Sequence, residues 1–179
     1  KNTKNMNDRS ELEVGLIQSK LHWEDAEANR VMFEEKLGKL PQTTDLAVLP
    51  EMFTTGFSMH PETLAEPHPG PSFEWMRQMA ARNEMVVTGS LIIRKSNNYY
   101  NRLYVVFPDG SYKYYDKRHL FRMGQENEHY TAGTQRMTFT LKGWRIRPLI
   151  CYDLRFPVWI RNRSDYDVLL FVANWPEVR

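Results

Sequence analysis

An α/β fold is what this sequence predicts, and three observations predict it. Short unbroken apolar runs such as Leu46-Ala47-Val48-Leu49 alternate with a helix-spaced segment, in which Phe33, Leu37 and Leu40 fall at i, i+4 and i+7. An unbroken apolar run of this length marks a strand covered on both faces. Three candidate strands also end in a chemically capable side chain: Glu51, Lys117 and Cys151. The C-terminal edge of a sheet is where α/β proteins build their sites.

Taken in order, residues 14–19 form a short apolar strand candidate and 24–40 a helix, stopped by Pro41. Residues 46–49 are a buried strand leading into Glu51. A long loop, 52–70, carries Phe53, Gly56, Phe57, Pro61, Pro67 and Pro69, and its place just after Glu51 makes it a pocket wall. Ser72 is the expected N-cap of a helix ending near Asn83, with Glu74 near its positive end. From Met85 the period changes to that of strands: 85–93, 102–107 and 111–115, with turn chemistry at Asn97-Asn98 and Pro108-Asp109-Gly110. A polar loop, 118–133, follows Lys117. Residues 137–141 and 144–150 read as a hairpin around Lys142-Gly143. Cys151 follows, then a short helix at 156–162 and a last buried strand at 168–173, ahead of Asn174-Trp175-Pro176.

Composition narrows the functions. At 179 residues the chain suits one domain with a real core. The first ten residues are polar and are expected to be a disordered tail ahead of a domain over 11–179. A net charge of +2, with arginines scattered among apolar residues, argues against a nucleic-acid partner. No apolar run approaches the ~20 residues of a membrane helix, so no membrane partner is expected. The single cysteine excludes an internal disulfide and fits a reducing cytoplasm. Cysteine and histidine are too scattered for a zinc site.

The strand-end residues permit a definite chemistry. A buried strand running into Cys151 and then a helix holds the thiol rigidly while facing it outward. A thiol needs a base or a positive neighbour to react at neutral pH. Glu51 is the candidate base, in a pocket walled by Phe53 and Phe57, and an activated thiol is expected to alkylate quickly. Lys117 can stabilise a thiolate and then the oxyanion of a tetrahedral intermediate, together with the N–H of Tyr152. The set suits attack on an amide or nitrile carbon. Read one at a time, the same residues are an inert core cysteine and two solvated strand ends.

Four blocks carry a resemblance: Leu49-Pro50-Glu51-Met52-Phe53, Tyr115-Asp116-Lys117-Arg118-His119-Leu120-Phe121, Cys151-Tyr152-Asp153-Leu154-Arg155-Phe156-Pro157, and Asn174-Trp175-Pro176. On these blocks the sequence resembles the nitrilase (carbon–nitrogen hydrolase) superfamily, and within it Thr54-Thr55-Gly56-Phe57, residues 116–123 and Pro157-Val158-Trp159 look most like the bacterial omega-amidases. The resemblance implies a four-layer αββα sandwich, a Glu51–Lys117–Cys151 triad, no metal and no organic cofactor, and a homodimer. It implies hydrolysis of the terminal amide of 2-oxoglutaramate or 2-oxosuccinamate, with release of ammonia. A supporting glutamate is expected in the loop after the lysine, with Glu126 preferred over Glu128. Arg155 is the candidate for gripping a substrate carboxylate, with a salt bridge to Asp153 or another acid as its alternative. Phe53 and Trp175 are candidate pocket walls, or else core. Tyr152 is expected to act through its N–H rather than its ring. Family members continue past the Asn-Trp-Pro block, so the sandwich is expected to be incomplete at its C-terminal end, as a shortened form or fragment, or covered by another chain. Competing readings are a Cys–His hydrolase using His119, an inactive or regulatory binding scaffold, and a hydrolase of a different amide or nitrile.

Overall fold

The structure is a computed structural model and describes residues 11–175. The expected tail over 1–10, and Pro176 of the last block, lie outside the described residues. Eight strands form two sheets. The first has the order β1 (Val14–Leu16), β2 (Leu46–Val48), β3 (Val86–Lys95), β4 (Asn98–Val106) and β5 (Tyr112–Asp116). Its first three strands run parallel and its last three antiparallel. The second sheet has the order β6 (Phe139–Leu141), β7 (Trp144–Ile150) and β8 (Val168–Val172), antiparallel and then parallel.

Helices α1 (Ala26–Leu37) and α3 (Pro71–Asn83) pack on one face of the first sheet. Phe33, Leu37, Trp75, Met76 and Met79 fill that layer with Ala47 and Val87. The other face meets the second sheet, where Leu46, Val48, Leu103 and Val105 pack with Ile146 and Leu149. β2 therefore sends alternate residues into both cores, which is why its sequence is apolar without a break. Each fully buried Leu or Val contributes about 1.5–3 kcal/mol, so the short strand is held by packing rather than length. The order helix, sheet, sheet supplies three of the sandwich layers. Among the described residues no helix comparable to α1 or α3 lies beyond the second sheet, and Val168–Phe171 of β8 stay half-buried. No helix among them is long and apolar enough to cross a membrane.

Local chemistry moved several boundaries. α1 starts two residues late, because Glu24 has φ 55° and Asp25 caps the helix through Ala28 N at 3.0 Å. Ser72 is not the N-cap of α3: Gly70 is, Pro71 opens the helix, and Ser72 is buried with its N–H and hydroxyl on Glu66. β4 begins at Asn98, four residues early, since the turn falls at Ser96-Asn97 rather than Asn97-Asn98. The hairpin at Lys142-Gly143 is as read, with φ 48° and 82°, the left-handed pair that a two-residue turn requires. Two short helices inside the loops, α2 (Pro61–Leu64) and α4 (Glu126–His129), had no sequence signal long enough to read. The helix after Cys151 divides into a 3-10 turn, Cys151–Arg155, and α5, Pro157–Ile160.

Candidate active site

The site lies at the seam where the C-terminal ends of β2, β5, β7 and β8 meet. Glu51 follows β2, and its N–H donates to Ala173 O just past β8 at 3.4 Å. Lys117 follows β5. Its N–H donates to Asn101 O at 3.0 Å, and its carbonyl accepts from Gly133 N at 2.8 Å. Gly133 must lack a side chain, because a Cβ there would stand 2.1 Å from Asp116 O. That close approach pins the returning loop against Lys117.

The buried ends form an ionic cluster. Lys117 Nζ donates to Glu51 Oε1 at 2.8 Å and to Glu126 Oε1 and Oε2 at 3.0 and 2.8 Å, with all three side chains fully buried. Glu126 also accepts from Phe121 N. Glu128 is exposed, so Glu126 is the loop carboxylate that reaches the cluster. Burial alone would push the Lys117 ammonium down, but Glu51 and Glu126 outweigh it and hold it above its ordinary value. Burial raises the Glu126 carboxyl against the pull of Lys117.

Cys151 sits directly after β7 with φ 41°, a left-handed conformation that costs a non-glycine residue energy. Asp153 holds this turn. Its Oδ2 accepts from Ile150 N at 3.1 Å and Tyr115 Oη at 2.7 Å, and its Oδ1 accepts from His119 N at 3.0 Å and lies 2.8 Å from His119 Nδ1. The nucleophile turn of the second sheet is thereby tied to the strand and loop that carry Lys117. Burial and the facing Glu51, to which the thiol hydrogen-bonds, push Cys151 up to about 12, with Lys117 pulling the other way. Burial and the facing Glu51 thus favour the neutral thiol over the thiolate at this position.

Cys151 and Glu51 open onto a cavity of about 490 Å³. Its walls include Phe57, Met59, Phe121, Met123, Tyr152 and Trp175, with Arg155 and Asn174 among its polar groups. Asn174 reaches in from β8, its N–H 3.2 Å from Glu51 Oε2. Trp175 is half-exposed. Arg155 is exposed and makes no ion pair among the described residues, because Asp153, its expected alternative partner, is taken up by other donors.

Phe53 is a correction. It is fully buried in the helix-side core, edge-on to Phe33 at 5.6 Å and over Gly89, not in the cavity wall. Met52, at φ 46°, turns the chain so that Phe53 points back beneath β3, and Phe57 takes the wall position instead. Where only the N–H of Tyr152 was expected to matter, its ring lines the cavity, edge-on to Phe121 at 5.1 Å and Phe156 at 5.3 Å. His119 is no partner for the thiol. It stacks on Phe156 at 3.6 Å with its Nδ1 on Asp153, and the Cys–His reading loses its base.

Asn174 stands in the fourth block of the resemblance with no expected role of its own, and Asn101 falls one residue before the strand expected at 102–107; an Asn opposite Ile92 in a strand is the signal that points to it.

Comparison with known proteins bears on this geometry. The family model for carbon-nitrogen hydrolases matches residues 13–178. The omega-amidase YafV of Yersinia enterocolitica is 46% identical over 170 residues, covering 95% of this chain and 66% of that protein. The 2-oxoglutaramate amidase of Bacillus subtilis is 36% identical over 137 residues, covering 74% of this chain and 53% of that protein. Among solved structures, a CN-hydrolase superfamily protein from Xanthomonas campestris, which carries an arsenic adduct in its active site, superimposes with a TM-score of 0.87. It shares 44% identity and is matched over 94% of this chain and 66% of its own. The chain thus spans somewhat less than two thirds of the length of the relatives it matches.

Proposed function

Because the chain belongs to the carbon-nitrogen hydrolase family, we propose that it hydrolyses the terminal amide of a small 2-oxo dicarboxylic acid, 2-oxoglutaramate or 2-oxosuccinamate, releasing ammonia. The observation that carries this reading is that one thiol and one carboxyl group line the same cavity, with a buried ammonium paired to that carboxyl group behind it.

In this mechanism Cys151 is the nucleophile. Its S–H proton passes to Glu51 as sulfur bonds to the amide carbon. Protonating Glu51 weakens one of the two acid partners that hold Lys117, so the ammonium can turn towards the new oxyanion, with the Tyr152 N–H as second donor. Collapse breaks the C–N bond, and Glu51 returns its proton to the departing ammonia. A water, deprotonated by Glu51, then cleaves the thioester and gives carboxylic acid and free thiol. Glu126 acts through Lys117. In this reading Arg155, which lines the cavity, binds the distal carboxylate in a bidentate fork, and Trp175 and Phe57 cover the carbon chain. A small-molecule amide as partner, a homodimer and a cytoplasmic setting complete the reading, the last supported by the single free cysteine.

The test is ammonia release from 2-oxoglutaramate, 2-oxosuccinamate, an uncharged amide of the same length and a nitrile. Cys151→Ala should lower kcat by at least about 10⁴-fold with the fold unchanged by circular dichroism. Arg155→Gln should raise KM for the carboxylate-bearing amides by about 10–100-fold and leave the uncharged amide alone. Equal turnover in Cys151→Ala ends the thiol mechanism. No turnover of any amide by the parent chain favours the binding scaffold.

A further inference from the structure

Asn101 lies on β4, facing the seam, and is fully buried. Its Nδ2 donates to Glu51 Oε1 at 2.8 Å and to Glu126 Oε1 at 3.2 Å. Its carbonyl accepts the Lys117 N–H at 3.0 Å. One residue therefore touches all three members of the ionic cluster. Its Oδ1 is buried with no hydrogen-bond partner among the described residues, an arrangement that is costly in a protein interior. The amide could not be flipped to relieve that cost, because Oδ1 would then face two carboxylate oxygens. The donors are thus committed to the acids at the expense of the acceptor.

Two carboxylates drawn to one ammonium can each rotate about the side chain. Lys117 alone fixes their distance from Nζ but not which oxygen of Glu51 faces the thiol. Asn101 adds a second anchor on the same oxygen, Oε1. With Oε1 held by two donors, Oε2 is left for Asn174 N–H and the cavity. We propose that Asn101 is a positioning residue for the reaction: its Nδ2 group locks the Glu51 carboxylate so that one oxygen is reserved for the Cys151 proton, and holds Glu126 in the same grip. This rests on the proposed role of Glu51 as proton acceptor.

The test uses Asn101→Asp, which keeps the shape, and Asn101→Leu, which removes both donors. An introduced carboxyl would face Glu51, Glu126 and Lys117, with Cys151 and Tyr130 nearby. Protonated, it donates one bond in place of Nδ2. Ionised, it repels both glutamates. Asn101→Asp should therefore fall progressively behind the parent as pH rises, whereas Asn101→Leu should be impaired at every pH. In both, kcat should drop by roughly 10–100-fold, the size expected when the partner orienting an active group is lost. KM should hold, since Asn101 does not line the cavity.

A second readout needs no substrate. Cys151 is the sole cysteine, so its alkylation by iodoacetamide is unambiguous. The ratio of variant to parent alkylation rate should decline with pH for Asn101→Asp and stay low and flat for Asn101→Leu. If the parent turns over no amide, the proposed function fails while this ratio still decides the role of Asn101. Parent-like kcat and pH profiles in both variants would overturn the proposal. So would losses that merely track the folded fraction by circular dichroism, with an unchanged profile in what remains folded.

Discussion

Glu51, Asn101 and Lys117 come from the first sheet and are at most 1% exposed; Cys151, Tyr152, Asn174 and Trp175 come from the second, and Trp175 is 49% exposed. The first group is a closed ionic network in which each charge faces an opposite charge or a hydrogen-bond donor. The second is an open rim of thiol, rings and backbone N–H groups. Fully buried charges are stable only in good geometry, so the first half must be rigid. The rim can meet a ligand because solvent already reaches it. The proposed reaction needs the halves in register, and beside the shared apolar core the contacts nearest the site that set it are Asp153 on Tyr115 and His119, and Asn174 with Ala173 on Glu51.

Three substitutions or conditions break this contrast, in falling order of effect. Lys117→Met leaves two fully buried carboxylates without a counter-ion. It should cost about 3–5 kcal/mol of stability, read from urea unfolding, and abolish turnover. A loss below 1 kcal/mol would mean that the network is looser than its geometry implies. Asp153→Asn puts an amide N–H₂ against groups that already donate. It should cost about 1.5–3 kcal/mol and lower kcat more than it raises KM, because the nucleophile's turn is released while the cavity wall remains.

The third is alkaline pH. The folded state raises the Cys151 thiol from 9.0 to about 12, so it holds that proton more tightly than the unfolded chain does. The resulting stability is present below about pH 9 and lost as pH rises towards 12. Cys151→Ser should remove this alkaline slope, by only a few degrees of melting temperature because the thiol is partly open to solvent. For the same reason, alkylation of the resting parent at neutral pH should be slower than that of a free cysteine. Fast alkylation would show that the proton already resides on Glu51.

Much of this was legible in the chain. The strand ends carrying Glu51, Lys117 and Cys151 follow from strand-like runs that each lead into a chemically capable side chain, whereas Glu126 follows only from the family resemblance, which implies a supporting glutamate in the loop after the lysine. Boundaries were less legible where a cap or a turn decides them. Asp25 displaced Glu24, and the Ser96-Asn97 turn moved the start of β4, which hid Asn101. Phe53 and Phe57 lie four residues apart in one loop, yet one is core and the other wall. Nothing in their composition separates them; the positive φ of Met52 and Gly56 does.

The sequence by itself determined the α/β class, the residues with reactive chemistry and the order in which strands deliver them, because hydrophobic period and side-chain type are local properties. The two facing sheets were implied by the family resemblance; only the tertiary structure decided that Asn101 and Asn174 join the acids and that the thiol is half-buried against Glu51. Those outcomes depend on burial and on charges brought together from distant parts of the chain, and the free energy of a buried charge is set by its neighbours in space rather than in sequence.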